Sequence, residues 1–507
     1  MTFALSAPPT DFYAGVLIGL GLLYVSVATA PRARGAAARG FYWATAAGLV
    51  GMAFIPGVIQ RFTPLGMAGG VVALVLLSMF QALAWAAGAA IAHALLSRRW
   101  LPDPLAFGAG VFVAISIPSV IAWTPASLMS PWPALVQLAE LVGERGVSLV
   151  LAVAAALLVT PLAQRLAAPA GNGRRAAWLA CASGAGLLAL LVIFGALRMR
   201  AVREARAALP RLRVGVVQAA VPAKLRWQPA ARQEIAARLH RLTLESERRG
   251  AELTIWPEAA YPYVLPHAAG PAPSGSRSIV GRGVRGPVLA GLITDAIAGG
   301  HHNSATIVGR DGWMQKPQAK MALLWFGETV PFSEYLPWLR KVFFRAGGLM
   351  PGSEVALLED AGARIGVLNC YEDTLPAIGR RVARQGPNLL VNVTNDAWFG
   401  PTSEPELHLR LSVLRAVESR RDLVRAVNLG LPAWIDAAGS VRVRGSADQQ
   451  SVLLTSPALN DMSPTLYVRA GDIPVWLGLT IATLGSILLA RRRTRRQNAT
   501  EPSLLGP

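Results

Sequence analysis

Cysteine is nearly absent from this chain of 507 residues: there are two. At most one disulfide can form, and with Cys181 inside an apolar run Cys370 is expected as a free thiol. Charge is scarce as well. Only 15% of residues are Asp, Glu, Lys or Arg against 53% hydrophobic, and the mean hydropathy is positive, which excludes an ordinary soluble enzyme and indicates a membrane protein. Acidic residues are the scarcer sign, 29 against 49 basic, giving a formal net charge of +20. The arginines lie beside apolar runs and not on a basic, aromatic-studded face, so lipid headgroups and cytoplasmic loops account for them and nucleic acid does not. No basic residue precedes the first apolar run and no small-residue cleavage site follows it, so that run reads as a retained helix and not a signal peptide.

About 20 apolar residues cross a bilayer core. Runs of that kind cover 11–29, 41–59, 66–96, 104–124, 145–164 and 176–196, and a last one covers 473–490, which predicts seven spans. The proline-broken stretch 125–144, with Trp132, Glu140 and Glu144, reads as an interfacial loop with a short helix. Arginines follow the first, third, fifth and seventh spans: Arg32, Arg34 and Arg39; Arg98 and Arg99; Arg165, Arg174 and Arg175; and the tail from Arg491 to Arg496. Positive loops stay in the cytoplasm, so the N-terminus and everything from 197 to 472 are expected outside.

The predicted organisation is a membrane domain over 1–197, a linker at 198–210, and a soluble domain over 211–456. A second linker at 457–472, the C-terminal span 473–490 and a basic cytoplasmic tail 491–507 complete it. In the soluble domain strand-like and helix-like segments alternate. Leu212 to Ala219, Leu253 to Trp256, Val288 to Ile293, Ala305 to Val308, Ile365 to Leu368, Leu389 to Val393 and Leu423 to Val427 read as buried strands. Ala230 to Arg249, Thr374 to Arg384 and Glu404 to Arg420 read as helices, so an α/β layered domain with its own core is expected.

Three residues there suit chemistry. Cys370 ends an apolar strand just before the helix-start residues Asp373, Thr374 and Pro376, a bend that exposes a nucleophile beside free backbone N–H groups; alone, it could equally be a small core residue. Glu258, in Trp256-Pro257-Glu258-Ala259, ends another strand among apolar neighbours that would desolvate it and make it a competent base, or it is an ion-paired surface glutamate. Lys320 precedes an apolar run, where an ammonium can stabilise an oxyanion or merely snorkel.

Together these pieces are more telling. Trp256-Pro257-Glu258, Lys320 followed by Phe326-Gly327-Glu328, Cys370-Tyr371-Glu372 and Asn395-Asp396-Ala397-Trp398-Phe399-Gly400 resemble the nitrilase superfamily of Glu-Lys-Cys enzymes. With spans at both ends, the chain resembles the apolipoprotein N-acyltransferase family of the bacterial envelope. That resemblance implies an αββα sandwich outside the membrane, with Glu258 as general base, Lys320 as cationic stabiliser and Cys370 as nucleophile. It further implies the Tyr371 N–H in the oxyanion hole, and Glu372, Glu328, Asn303, Trp227, Trp398 and His408 lining the site. No metal or cofactor is implied. The substrates would be a phospholipid acyl donor and a diacylglyceryl lipoprotein acceptor, joined through a Cys370 thioester, and the enzyme would act as a monomer.

Departures from the family pattern are visible. The family commonly has one span more, at the N-terminus; its usual glutamate and arginine pair in and after the fourth span is not evident; and Leu429, Leu431 and Pro432 replace small polar residues. A membrane-tethered amidase acting on a small amide would use the same three residues. The aromatic stretch 321–350, with Trp325, Trp338 and Phe343 as its lipid-facing lid, favours a lipid substrate. A transporter or receptor with a degenerate domain is disfavoured, because the three residues remain and no strong charge inside the spans marks an ion path.

Overall fold

The computed structural model describes residues 1–167, 174–226, 228–296, 299–344 and 346–500, so Trp227 and residues 501–507 lie outside the described residues. Helices occupy all seven predicted spans, but fewer of them are long enough to cross a membrane. Gly66–Arg98, Ala139–Leu158, Arg174–Ala207 and Ile473–Ala490 are long and apolar enough, and the pair Ala33–Gly51 and Ile55–Phe62, bent by 60°, is a fifth if taken as one broken span. The other two predicted spans are helices Ala14–Ala28 and Asp103–Ser116, of 15 and 14 residues. At 1.5 Å per residue each rises roughly 22 Å, short of the roughly 30 Å hydrocarbon core.

Local chemistry explains these shortfalls. Asp11 leaves the first apolar run because both its oxygens accept from Arg410, at 2.8 and 3.0 Å, in the other half of the chain. Pro118 stops helix Asp103–Ser116: the residue before it, Ile117, is extended, as a pre-proline residue prefers to be. The predicted linker at 198–210 is helical as far as Ala207, since Arg198 pairs with Glu140 at 2.5 Å and Arg206 with Asp422 at 2.5 Å. In the stretch 125–144 short helices Pro125–Leu128 and Pro133–Val136 appear, but Glu140 and Glu144 belong to Ala139–Leu158 and are buried.

The second half is a four-layer α-β-β-α sandwich. Its first sheet runs Ser451–Thr455, Val214–Gln218, Leu253–Ile255, Val288–Asp295, His301–Val308, Trp313–Met314, Gly270–Pro271, with two short strands off that path. The second runs Val441–Arg444, Ala433–Ile435, Leu423–Val427, Leu389–Thr394, Ala363–Asn369, Leu358–Asp360. Val214, Val216, Ile255 and Leu289 meet Ile365, Val367, Val391 and Val424 between the sheets. Val217, Val288 and Leu292 point the other way onto Ile235, Leu239 and Leu242 of helix Arg232–Arg248. Strands covered on both faces need unbroken apolar runs, which is why they read so clearly in the sequence.

Helix Glu404–Ser419 joins the two halves. Leu409, Val413 and Ala416 pack on the second sheet, while Leu407, Leu411, Leu414 and Val417 enter the core of the membrane helices. A helix with two apolar faces belongs between two bodies and not on a surface. Its arginines complete the junction: Arg410 holds Asp11, Arg415 holds Glu144 at 2.6 Å, and Arg420, just past its end, holds Glu140 at 2.8 Å.

Candidate active site

Strand Ala363–Asn369 ends at Asn369, and the chain turns into a short 3-10 helix, Cys370–Thr374. Cys370 stands at φ 53, a left-handed conformation that costs a non-glycine residue on the order of 1–3 kcal/mol. The turn is held against that strain. Asn392 Nδ2 donates to the carbonyls of Cys370 at 2.8 Å and Leu368 at 3.1 Å, and the Asn369 N–H donates to Glu372 Oε2 at 2.8 Å.

Glu258 follows strand Leu253–Ile255 and is buried. Its turn lies tight on Val288–Asp295: a Cβ on Gly291 would stand 2.2 Å from the Pro257 carbonyl oxygen, so only glycine admits the contact. Lys320, 1% exposed, sits between two carboxylates, 3.2 Å from Glu258 Oε1 and 2.8 Å from Glu328 Oε2. Asn303 Nδ2 donates to both acids, at 2.7 Å to Glu258 and 3.1 Å to Glu328.

Charge balance sets the resting state. Burial pushes the Glu258 carboxyl up, Lys320 opposes, and Glu328 adds to the rise. Burial alone would lower the Lys320 ammonium, but Glu258, Glu328 and Cys370 hold it well above its ordinary range. The Cys370 thiol is raised by burial and by Glu258, with Lys320 opposing. A charged lysine beside a neutral thiol and a carboxylate of raised basicity is the arrangement a base-activated nucleophile requires.

The aromatic arm grows out of this cluster. Glu372 Oε1 accepts from the backbone N–H of Met321 at 2.6 Å and of Ala322 at 2.9 Å, and Glu328 Oε2 accepts from Leu324 at 2.9 Å. Burial pushes Glu372 up to about 7 against the pull of those N–H groups and Lys320. The Tyr371 ring lies 5.6 Å from the Lys320 ammonium, and its hydroxyl donates to the Leu323 carbonyl at 3.1 Å. Beyond this root Trp325, Phe332, Tyr335, Trp338 and Phe344 are exposed. Phe343 is half-buried on Phe326, with ring centroids 4.9 Å apart, and Trp325 faces Phe80 of helix Gly66–Arg98 at 6.3 Å.

Two of the predicted site residues lie apart from the Glu258 and Lys320 cluster. Trp398 is half-buried against Phe62, 4.5 Å between ring centroids, and Arg61 Nη2 donates to the neighbouring Phe399 carbonyl at 2.6 Å, so this loop docks on helix Ile55–Phe62. His408 lies beneath the cysteine turn. Its Nε2 donates to Asp373 Oδ1 at 2.9 Å and its Nδ1 to Asp396 Oδ1 at 3.1 Å, while Arg425 grips the other Asp373 oxygen. Burial would lower this imidazole, but Asp373 and Asp396 outweigh it and Arg425, raising it to about 10.

Asp373 directly follows Cys370-Tyr371-Glu372, Asp396 is in the string from Asn395 to Gly400 and Arg425 is in the strand Leu423–Val427, yet their ion pairs depend on residues far apart in sequence. Asp396, Glu404 and His408 offer ligand atoms within 4.8 Å of one another. Both His408 ring nitrogens are engaged by carboxylates, Asp373 on one side and Asp396 on the other.

Comparison with known proteins matches both halves. The profile described as carbon-nitrogen hydrolase matches residues 213–465, and that of the apolipoprotein N-acyltransferase N-terminal domain matches residues 1–157. The apolipoprotein N-acyltransferase of Geobacter metallireducens is 30% identical over 367 residues, 71% of this chain and 68% of that one. Its counterpart in Rhodopseudomonas palustris is 28% identical over 440 residues, 80% of this chain and 77% of its own length. An amidase of the nitrilase superfamily from Nesterenkonia AN1 aligns with 54% of this chain and 99% of its own, at 17% identity and a TM-score of 0.37. With the two profiles in order and the Geobacter relative covered over 68% of its length, the chain belongs to the apolipoprotein N-acyltransferase family, as a multi-pass membrane enzyme of the carbon-nitrogen hydrolase superfamily.

Proposed function

We propose that this enzyme moves an acyl chain from a phospholipid to the α-amine of a lipoprotein's diacylglyceryl-cysteine in two steps, on a domain facing the periplasm. Glu258 takes the thiol proton, Cys370 attacks the acyl ester, and the lysophospholipid alkoxide leaves with that proton. The amine then attacks the thioester, gives its proton to Glu258, and the thiolate leaves. Lys320 and the Tyr371 N–H face the oxyanion in both steps. Glu328 and Asn303 hold Lys320 and Glu258 in register.

One observation carries this reading above a soluble-amide hydrolase. The charged cluster and the exposed aromatic arm are one hydrogen-bonded unit, through Glu372 and Glu328, and the arm's Trp325 meets a spanning helix at Phe80. A small amide needs no such arm; a lipid that stays in the bilayer does. Purified protein given phospholipid and a synthetic diacylglyceryl-cysteine peptide should yield the N-acylated peptide and lysophospholipid in equal amounts. Release of free fatty acid or turnover of simple amides, without peptide acylation, would favour the hydrolase.

A further inference from the structure

One neighbour of the cysteine is not used in those steps. Strands Ala363–Asn369 and Leu389–Thr394 run parallel with Asn369 opposite Val393, so the next residues, Cys370 and Thr394, come side by side at the carboxyl edge of the sheet. Thr394 is fully buried. Its hydroxyl donates to Asp396 Oδ1 at a long 3.3 Å, and while burial pushes the Cys370 thiol up, a side-chain hydrogen bond from Thr394 is among the influences that pull it down. One hydroxyl proton thus has two acceptors. The carboxylate is not left bare if it loses that donor, because His408 Nδ1 stays on the same oxygen at 3.1 Å, and His408 is fixed in turn by Asp373, which Arg425 grips.

We propose that Thr394 is a further catalytic residue of the acylation step: its hydroxyl rests on Asp396 while Cys370 is a thiol and turns to the sulfur when the thiolate forms. This rests on the reading of Cys370 as the nucleophile. The bonds balance simply. The S–H bond breaks, its proton bonds to a Glu258 oxygen, and the Thr394 O–H bond stays intact and only changes acceptor. The need for such a donor is electrostatic. The groups facing the sulfur are Glu258 and Asp396, which oppose a thiolate, and Lys320, which favours it but is already shared between Glu258 and Glu328. Thr394 supplies a donor that no carboxylate has claimed outright.

The test is the pH profile of Cys370 alkylation by iodoacetamide in the full-length protein, read by peptide mass spectrometry so that Cys181 is scored separately. Formation of the acyl adduct from phospholipid is measured on the same samples. Thr394→Val should move the alkylation midpoint up by about one pH unit and slow adduct formation by roughly 10- to 100-fold, the weight of a hydrogen bond to a charged group, with an unchanged melting temperature. Thr394→Ser should restore both. A valine variant whose profile superimposes on wild type overturns the proposal, as does an equal loss in the serine and valine variants with a lowered melting temperature. Wild-type protein that alkylates at Cys370 yet forms no acyl adduct there overturns the nucleophile reading itself, and the proposal with it, a different result from either of the first two.

Discussion

Arg415 Nη2 donates to Glu144 Oε2 at 2.6 Å with both side chains buried, and the bond crosses from the sandwich to the membrane helices. Removing one partner of such a pair strands the other charge, so Glu144→Ala should destabilise the folded protein by about 3–5 kcal/mol. The double replacement Glu144→Leu with Arg415→Met should recover much of that loss. Thermal unfolding in detergent reads both; equal melting temperatures for wild type and Glu144→Ala would show that Glu418, 3.2 Å from Arg415, suffices alone.

Glu372 makes the fold sensitive to pH. Burial raises its carboxyl to about 7, against the pull of backbone N–H groups and Lys320, and the group returns to its ordinary value when the chain unfolds. A carboxyl raised in the folded state contributes stability that is fully present below the ordinary value near 4.5 and is lost as pH rises through about 7. The melting temperature in detergent should therefore be lower at pH 8 than at pH 5, and Glu372→Gln should flatten the difference. A slope that Glu372→Gln leaves unchanged would assign it to another group.

The arm's aromatics should divide by what they touch. Trp338 and Tyr335 are 56% and 82% exposed. Trp338→Ser with Tyr335→Ser should barely move the melting temperature, as exposed sites seldom do, yet slow acylation from phospholipid bilayers and spare alkylation of Cys370. Phe343→Ser, which removes a ring packed on Phe326, should lower stability and both reactions together. Equal behaviour of the two variants would make the arm a packed lid with no role at the bilayer.

Orientation is open to labelling in intact cells. Thr10→Cys, at an exposed position, should react with an impermeant thiol reagent and Thr500→Cys should not. The reverse result would place the sandwich in the cytoplasm.

Legibility in the sequence followed the physics of each element. The parallel strands around Cys370 read directly, because burial on both faces demands runs such as Ile365 to Leu368. Edge strands of two or three residues, such as Gln318–Ala319 and Leu358–Asp360, carry no such pattern and are set by their neighbours. Apolar length predicted seven spans, but it could not show Asp11 drawn out by Arg410, some 400 residues on. Glu258, Lys320 and Cys370 each sit in a short recognisable string. Thr394 does not: only the register of two strands brings it beside Cys370.

The proposed acyl transfer depends on the thiol of Cys370, and intact-protein mass spectrometry after brief mixing with phospholipid tests it most directly. Wild type should gain the mass of one acyl chain, mapped to Cys370 and discharged by a diacylglyceryl-cysteine peptide. Cys370→Ala should gain none, and Glu258→Gln and Lys320→Met should form the adduct on the order of 100- to 1000-fold more slowly. Acylation at full rate in Cys370→Ala, or turnover by wild type with no adduct at that residue, would contradict it.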